Sequence, residues 1–173
     1  MTDGRHPPAR APGPATGIDE DAAERRLTHF VAGDWRAPLS VRMGEGPMVL
    51  AGPADLARAL AAARAAGAGW RARGGEGRAV LLGLGQALPD AWQPGAEPEP
   101  VLVVGRAGPR RLTRMMAAGA AVVLLRPAPL SPGLVALADR LRRAGLPPGV
   151  LSLLTGPPEA AEGFAQIAGI CRF

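Results

Sequence analysis

Three short and almost wholly apolar segments constrain the fold of this chain more than any other feature. They cover residues 101–104, 121–125 and 150–154, and segments with helical periodicity separate them. Strands that show no alternation of polar and apolar residues are typically buried on both faces. When such strands alternate with helices, they form a parallel sheet with right-handed crossovers. The sequence therefore predicts an α/β fold, with a parallel sheet flanked by helices.

The helices and the last strand of this half have clear sequence signals. Residues 109–119 form a predicted helix, and Ser131 caps a second one that begins at Pro132 and stops at Gly145. A short helix is expected from Pro157 to about Ile167, followed by a fourth strand at 170–173. The residues expected to face inward are Leu112, Met115 and Met116 on the first helix and Leu134, Leu137, Ala138 and Leu141 on the second.

The N-terminal half is expected to supply a hairpin and two helices. Phe30 and Val31 begin an extended run that turns at Gly33-Asp34, and residues 41–50 could form a further strand. Pro53 opens a helix with Leu56, Leu60 and Ala63 at helical spacing, and Trp70 ends it. A second helix is expected over 76–88. Its predicted inner face consists of Val80, Leu81, Leu84 and Leu88.

Composition divides the chain into a tail and a single domain. Residues 1–24 are rich in Pro, Gly, Ala and charge, and they contain too few large apolar groups to offset the entropy of ordering, so we expect a disordered tail. Residues 25–173 form the predicted domain, in which residues 89–100 are a proline-rich linker. One cysteine excludes an intramolecular disulfide and suits a reducing compartment. The absence of a long apolar run or signal-peptide core favours a cytoplasmic protein with no membrane partner.

The basic character of the chain rests on arginine alone. All 20 basic residues are Arg, the net charge is +5 and the pI is about 11.2. Arg110, Arg111 and Arg114 form one cluster, and a second covers residues 140–143. Because the arginines are otherwise spread along the sequence and aromatic residues do not accompany them, we expect solvated helix faces and no nucleic-acid partner. His29 is expected to be a strand residue, and the sequence indicates no metal site.

Several segments in order resemble the N-terminal half of aldehyde dehydrogenases. Phe30-Val-Ala-Gly-Asp-Trp35 is similar to the family's opening Phe-Ile-Asn-Gly-Glu-Trp strand. Residues 55–88 resemble its helix pair, and 117–132 resemble the segment Ala-Ala-Gly-Asn-Thr-Val-Val-Leu-Lys-Pro-Ala-Glu. The strongest similarity is Gly145-Leu-Pro-Pro-Gly-Val-Leu-Ser-Leu-Leu-Thr-Gly156. The resemblance implies a Rossmann-like, incomplete aldehyde dehydrogenase NAD-binding domain.

The resemblance also marks where cofactor chemistry would lie. It implies Arg126, Pro127 and Gly156 as cofactor-binding candidates, with NAD(P) as the cofactor if there is one. However, the family's ribose-binding Lys and Glu are replaced by Arg126 and Pro129, and Pro158 replaces a glycine. The position of the family's oxyanion-hole Asn is taken by Ala107. An amide donor there contributes about 3–4 kcal/mol to barrier lowering. We therefore expect no cofactor to bind well.

No catalytic residue is assigned, because the family's catalytic cysteine and glutamate lie beyond Phe173. Cys171 is expected to be a strand thiol. The first hypothesis is a non-catalytic pseudoenzyme, truncated relative to the family, that binds a full-length aldehyde dehydrogenase as an accessory subunit. A residual NAD(P)-binding module of an oxidoreductase and a decayed gene remnant are the alternatives. If the chain were active, it would be an NAD(P)-dependent aldehyde dehydrogenase. We also expect the isolated chain to be incompletely stable, with Leu124, Leu153 and Met115 on an uncovered face.

Overall fold

The computed structural model describes residues 24–45, 48–86, 100–164 and 169–172. The predicted tail and the predicted linker therefore lie outside the described residues, apart from Glu24 and Pro100. The elements in chain order are β1 (His29–Val31), β2 (Asp34–Arg36), α1 (Pro53–Ala72), α2 (Gly74–Leu82), β3 (Val101–Val104), α3 (Pro109–Ala117), β4 (Val122–Arg126), α4 (Pro132–Arg143), β5 (Leu151–Thr155) and β6 (Gly169–Arg172), with short 3-10 helices at Arg25–Leu27 and Pro158–Phe164.

Within the described residues the strands form one sheet in the order β2-β1-β5-β4-β3-β6. Strands β3, β4, β5 and β6 are parallel, whereas β1 pairs antiparallel with both β2 and β5. Helix α3 connects β3 to β4, and α4 connects β4 to β5, as the alternating pattern predicts. The α/β class is confirmed, and the hairpin β1–β2 extends the parallel sheet along its β5 edge.

Helices cover both faces of the sheet. On one face, α3 and α4 pack over Val103, Leu124 and Leu153 in a cluster that also contains Trp70. On the other, α1 and the second 3-10 helix pack over residues such as Leu102 and Leu125. The expectation of an uncovered face is wrong, because Leu124 and Leu153 are fully buried and Met115 is 9% exposed. Side chains from α3, Met115 among them, and from α4 cover Leu124 and Leu153.

The predicted inward face of α3, which consists of Leu112, Met115 and Met116, is confirmed. The predicted inward face of α4, which consists of Leu134, Leu137, Ala138 and Leu141, is confirmed as well. The two prolines that open α3 and α4 stand at the first helical turn, as expected of a residue without an N–H. Ser131 occupies the N-cap of α4 but makes no side-chain cap hydrogen bond.

Helix α2 differs from its prediction in length and in orientation. It ends at Leu82 because Gly83 adopts a left-handed conformation with φ of +68°. Leu81 and Leu84 of the predicted inner face are partly buried against the core, but Val80 is 81% exposed, and Leu82, which was not assigned to that face, is buried. Leu88 lies outside the described residues. A shorter helix with its inner face rotated toward Arg78, Ala79 and Leu82 replaces the predicted one.

Three further predictions require correction. The expected strand over 41–50 is reduced to an isolated antiparallel bridge between Met43 and Val49. The helix expected after Pro157 is a 3-10 helix over Pro158–Phe164. The hairpin turn is made by Ala32 and Gly33, with φ of +54° and +83°, instead of by Gly33 and Asp34. No helix among the described residues has the length and apolarity needed to cross a bilayer.

Candidate functional site

The carboxyl ends of the parallel strands form the edge at which α/β proteins commonly bind ligands. Strand β3 leads into the loop Gly105–Gly108, β4 ends at Arg126 and β5 ends at Thr155. Backbone hydrogen bonds connect the ends of β3 and β5 to the end of β4. Gly105 N–H donates to Leu125 O at 3.0 Å, and Gly156 N–H donates to Arg126 O at 2.8 Å. The structure therefore brings Arg126, Pro127 and Gly156 together at one place.

Arg126 is a polar residue of this edge that has an unused donor. It is the last residue of β4 and is half-buried. Its Nε atom is buried and has no hydrogen-bond partner among the described residues. Pro127 and Pro129 follow it and are exposed. An arginine with an unpaired donor can bind an anionic or hydroxyl oxygen, whereas neither proline side chain can donate or accept a hydrogen bond.

Gly156 is closed off by the protein's own chain. Ala51 N–H donates to Thr155 O at 2.6 Å, so the segment before α1 runs along the end of β5. A Cβ added to Gly156 would lie 3.0 Å from Leu125 Cδ1 and 3.2 Å from Ala51 O. The internal packing therefore already accounts for the glycine at this position. Its assignment to cofactor binding stays a prediction.

Ala107 occupies the loop between β3 and α3, where the resemblance places an amide donor. Its side chain is 1% exposed and belongs to the core cluster on the α3 and α4 face. A methyl group in an apolar core supplies no hydrogen bond to a ligand. The side chain at this position contributes to stability, and it offers nothing with which to stabilise a developing negative charge.

The same edge contains a buried polar cluster that the sequence analysis missed. Asp55, at the third helical position of α1, is fully buried and accepts backbone hydrogen bonds from Leu39 at 2.7 Å and from Ser40 and Gly52 at 3.1 Å each. The bond from Gly52 is the half of a capping box in which the third-position carboxylate reaches back to the N-cap. An acidic residue three positions after a glycine and two after a proline was the available sequence signal.

His29 connects this carboxylate to the end of β5. Its Nε2 atom lies 3.3 Å from both Val49 O and Thr155 Oγ1, and its Nδ1 lies 3.8 Å from Asp55 Oδ1. A carbonyl can only accept, so we assign the ring proton to Nε2. Nδ1 then has no hydrogen-bond partner among the described residues. Burial lowers the pKa of His29 below its ordinary value, and the nearby Asp55 carboxylate opposes this shift.

The Thr155 hydroxyl, the His29 imidazole and the Asp55 carboxylate follow one another in the order of a catalytic nucleophile, its general base and the acid that orients the base. The environment excludes that chemistry. Thr155 Oγ1 donates to Val49 O at 2.8 Å, and Thr155, His29 and Asp55 are each at most 2% exposed. No substrate could reach the hydroxyl without unfolding the segment over it. The cluster holds the segment before α1 against β1 and β5. No group of three or more His, Cys, Asp or Glu side chains suited to a metal ion occurs among the described residues.

Similarity to known proteins agrees with this architecture. No protein-family model matches the chain, and no curated protein matches it. Several solved structures, in contrast, match the chain. One is aldehyde dehydrogenase C of Pseudomonas syringae in complex with NAD+ and octanal, with a TM-score of 0.61, 21% identity, and coverage of 86% of this chain and 50% of that one.

Two further structures show the same fold. The Δ-pyrroline-5-carboxylate dehydrogenase of Mycobacterium tuberculosis has a TM-score of 0.56 and 20% identity, and the match covers 99% of this chain and 48% of that chain. An NAD-dependent benzaldehyde dehydrogenase of Corynebacterium glutamicum has a TM-score of 0.59 and 17% identity, with 85% and 54% covered. The predicted resemblance is confirmed at the level of the fold, which is that of the NAD-binding part of aldehyde dehydrogenases. The chain spans about half the length of these proteins.

Proposed function

We propose that this chain is a non-catalytic aldehyde dehydrogenase-like protein that acts as an accessory subunit of a full-length aldehyde dehydrogenase. The observation that carries the non-catalytic part is the buried methyl of Ala107, at the position where the resemblance places an amide donor. Pro129, which replaces the ribose-binding carboxylate, and Gly156, which is packed against Ala51, support the same conclusion.

The accessory role is supported by the edge of the sheet. Strand β6 pairs with β3 on one side, and no described residue pairs with its other side. An open strand edge presents backbone donors and acceptors that accept another strand readily. In this proposal, an aldehyde dehydrogenase from the same cell supplies the pairing strand.

An enzyme assay tests the non-catalytic part. The purified protein is expected to show no NAD(P)-dependent oxidation of short or aromatic aldehydes, with a Cys171→Ser variant as control. Turnover in the wild type that disappears in this variant would overturn the proposal.

Hydrogen exchange tests the accessory part. The protein is mixed with a purified full-length aldehyde dehydrogenase of the same organism, and amide protection is compared with and without it. We expect new protection at Gly169–Arg172, and none at Asp34–Arg36, which forms the opposite edge of the sheet. Equal protection at both edges, or at neither, would contradict docking through β6.

The unpaired Nε of Arg126 favours a second candidate, a residual NAD(P)-binding module. Calorimetric titration with NAD+ and NADP+ separates the two functions. Binding weaker than millimolar supports the non-catalytic accessory subunit. A micromolar dissociation constant that Arg126→Gln raises at least tenfold would support the nucleotide-binding module instead.

A further inference from the structure

Charge is distributed very unevenly along this chain. Residues 101–150 contain eight of the 20 arginines and only one of the 15 acidic residues, Asp139. The rest of the chain has 12 arginines and 14 acidic residues, so the net positive charge originates in 101–150. Asp139 forms an ion pair with Arg25 and accepts a hydrogen bond from Trp35 Nε1 at 2.9 Å. Its negative charge is therefore already compensated from outside this region.

The tertiary structure gathers these arginines on one surface. Helices α3 and α4 pack side by side over the same face of the sheet, and a Cβ added to Gly133 would lie 3.3 Å from Pro109 Cγ. Their outer sides expose five arginines that we call the arginine face: Arg110, Arg111 and Arg114 of α3, and Arg140 and Arg143 of α4.

Helix stability explains only part of the arginine face. Arg114 lies in the last turn of α3, and Arg140 and Arg143 lie in the last turn of α4, where a cation is favourable. Arg110 and Arg111 lie in the first turn of α3, which contains no acidic residue. A cation at a helix N-terminus is unfavourable, because it faces the positive end of the helix dipole. Both arginines thus oppose the helix dipole, and Arg110, which pairs with no described residue, indicates an anion outside the protein.

Three members of the arginine face are available to a ligand. Arg110, Arg114 and Arg143 make no side-chain hydrogen bond or ion pair within the part of the chain that the structure describes. By contrast, Arg140 Nη1 donates to Leu82 O at 3.0 Å. The free guanidinium groups can each form two parallel hydrogen bonds with a phosphate.

The other residues of this surface select the class of partner. The remaining exposed positions of α3 and α4 are Pro132, Gly133, Ala136 and Arg142, and no large exposed apolar residue of the described chain lies on either helix. Protein interfaces concentrate their binding energy in Trp, Tyr and Arg anchors that fill well-packed pockets, and this surface has the arginines without the aromatic residues; membrane-surface helices insert apolar side chains. Phosphate backbones require neither, because their binding is driven by counterion release.

Size also favours a polymer over a single phosphate. Helix α4 has 12 residues. At about 1.5 Å per residue it spans roughly 18 Å, over which duplex DNA presents on the order of ten phosphate charges. The arginine face extends from the N-terminus of α3 to the C-terminus of α4, so its charges follow this length.

We propose that the arginine face binds the phosphate backbone of double-stranded nucleic acid without sequence specificity. In the sequence alone, the arginines are spread along the chain and lack aromatic companions, and both features argue against such a partner. The structure removes the first argument. The second concerns stacking on single-stranded bases and does not apply to a duplex backbone. This inference is independent of the proposed accessory role.

The test measures binding of a short fluorescent duplex by anisotropy at several salt concentrations. We expect the logarithm of the association constant to fall with the logarithm of salt with a slope of about −3 to −4, as for about four phosphate contacts. The combined Arg110→Gln, Arg114→Gln and Arg143→Gln variant is expected to reduce that slope to about −1. A matched variant loses the same charge from exposed arginines elsewhere, through Arg36→Gln, Arg42→Gln and Arg64→Gln. It is expected to keep most of the slope.

Equal losses in the two triple variants would show a general charge effect and would overturn the proposal, as would the absence of salt-dependent binding. Tighter binding to vesicles containing anionic lipid, or to an acidic polypeptide, than to the duplex at equal salt would assign the surface to another partner and overturn it as well. Circular dichroism of both variants confirms that the substitutions leave the fold intact.

Discussion

The two ends of the parallel sheet bury charges of opposite sign. At the amino end, the fully buried Arg78 donates from Nε to Ala117 O and from Nη1 to Arg71 O, both at 2.9 Å. At the carboxyl end, the fully buried Asp55 accepts backbone N–H groups around the start of α1. We call Arg78, which joins the C-termini of α1 and α3, the cationic hub, and Asp55, which holds the N-terminus of α1, the anionic hub.

The difference follows from the direction of the chain. Helices α1 and α3 run against the strands, so their free carbonyls gather at the amino end of the sheet, and the free N–H groups gather at the carboxyl end. Each end leaves unpaired groups of one polarity, and a buried charge of the opposite sign satisfies them. Helix direction therefore selects the sign of each buried charge. It also explains why Arg110 and Arg111, cations at the carboxyl end, stand out.

The largest change in the free energy of unfolding is expected from a glycine variant that tests how tightly the amino end of the sheet is packed. Gly145 and Gly149 share the α4–β5 turn and have φ of +78° and +97°. A Cβ at Gly145 meets nothing within 4 Å, whereas one at Gly149 overlaps Ala62 O and lies 2.7 Å from Ala62 C. Both alanine variants incur the left-handed strain of about 1–2 kcal/mol. Gly149→Ala should lose more than about 3 kcal/mol, because α1 must also move. Urea unfolding measures both, and equal losses would contradict this packing.

A somewhat smaller loss of stability is expected from a variant that tests the cationic hub. Arg78→Met retains an apolar stem but leaves the carbonyls of Arg71 and Ala117 without their donor. Each buried unsatisfied group costs about 1–3 kcal/mol, so we expect a loss of about 3 kcal/mol in the free energy of unfolding. The exposed Arg73→Met is the control and should change stability by less than about 0.5 kcal/mol. If both variants unfold at the same denaturant concentration, Arg78 does not hold the amino end.

The smallest change in stability is expected from a change of pH, which tests the anionic hub through the neighbouring His29. Burial lowers the pKa of His29 in the folded protein, so the unfolded chain binds the proton first. Stability should therefore be highest above the unfolded pKa of about 6.5 and should fall below it, by at most about 1.4 kcal/mol per pH unit, until the folded pKa is reached. The unfolding free energy from pH 8 to pH 5 measures this dependence.

The two histidines of the chain allow a direct control for this dependence. His29→Gln should remove the part of the pH dependence between pH 7 and pH 5 that belongs to the buried ring, whereas His6→Gln should not change it. An unchanged pH profile in His29→Gln would show that Asp55 compensates the imidazolium fully. The two hubs would then respond to pH alike.

Much of the fold was predictable because its signals are local. The apolar run at Val101–Val104, the helix starts at Pro109 and Pro132 and the stop at Gly145 all follow from short-range preferences. The inner face of α2 was mispredicted at Val80 because the helical periodicity is weak and Gly83 ends the helix early. The strand expected over 41–50 was mispredicted because Met43 and Val49 pair only with each other, and a single bridge without a longer partner strand does not form a ladder.

The candidate site was predictable only in part. The resemblance brought Arg126 and Gly156 to attention, and the structure places them at one edge of the sheet. The packing of Gly156 against Ala51 was not predictable, because the contact joins residues more than one hundred positions apart. The His29–Asp55–Thr155 cluster was missed for the same reason: only the pairing of β1 with β5 brings its members within reach.

Residue type and near neighbours are enough to fix the class of the fold, the order of its elements and, through the resemblance, the replacement of the family's amide donor at position 107 and of its carboxylate acceptor at position 129. The tertiary structure alone decided which charges are buried and which are gathered. Arg78 and Arg110 look alike in the sequence, yet one is enclosed by helix ends and the other joins the arginine face. Direction of the chain and packing over the sheet make that distinction, and neither is encoded in the spacing of arginines.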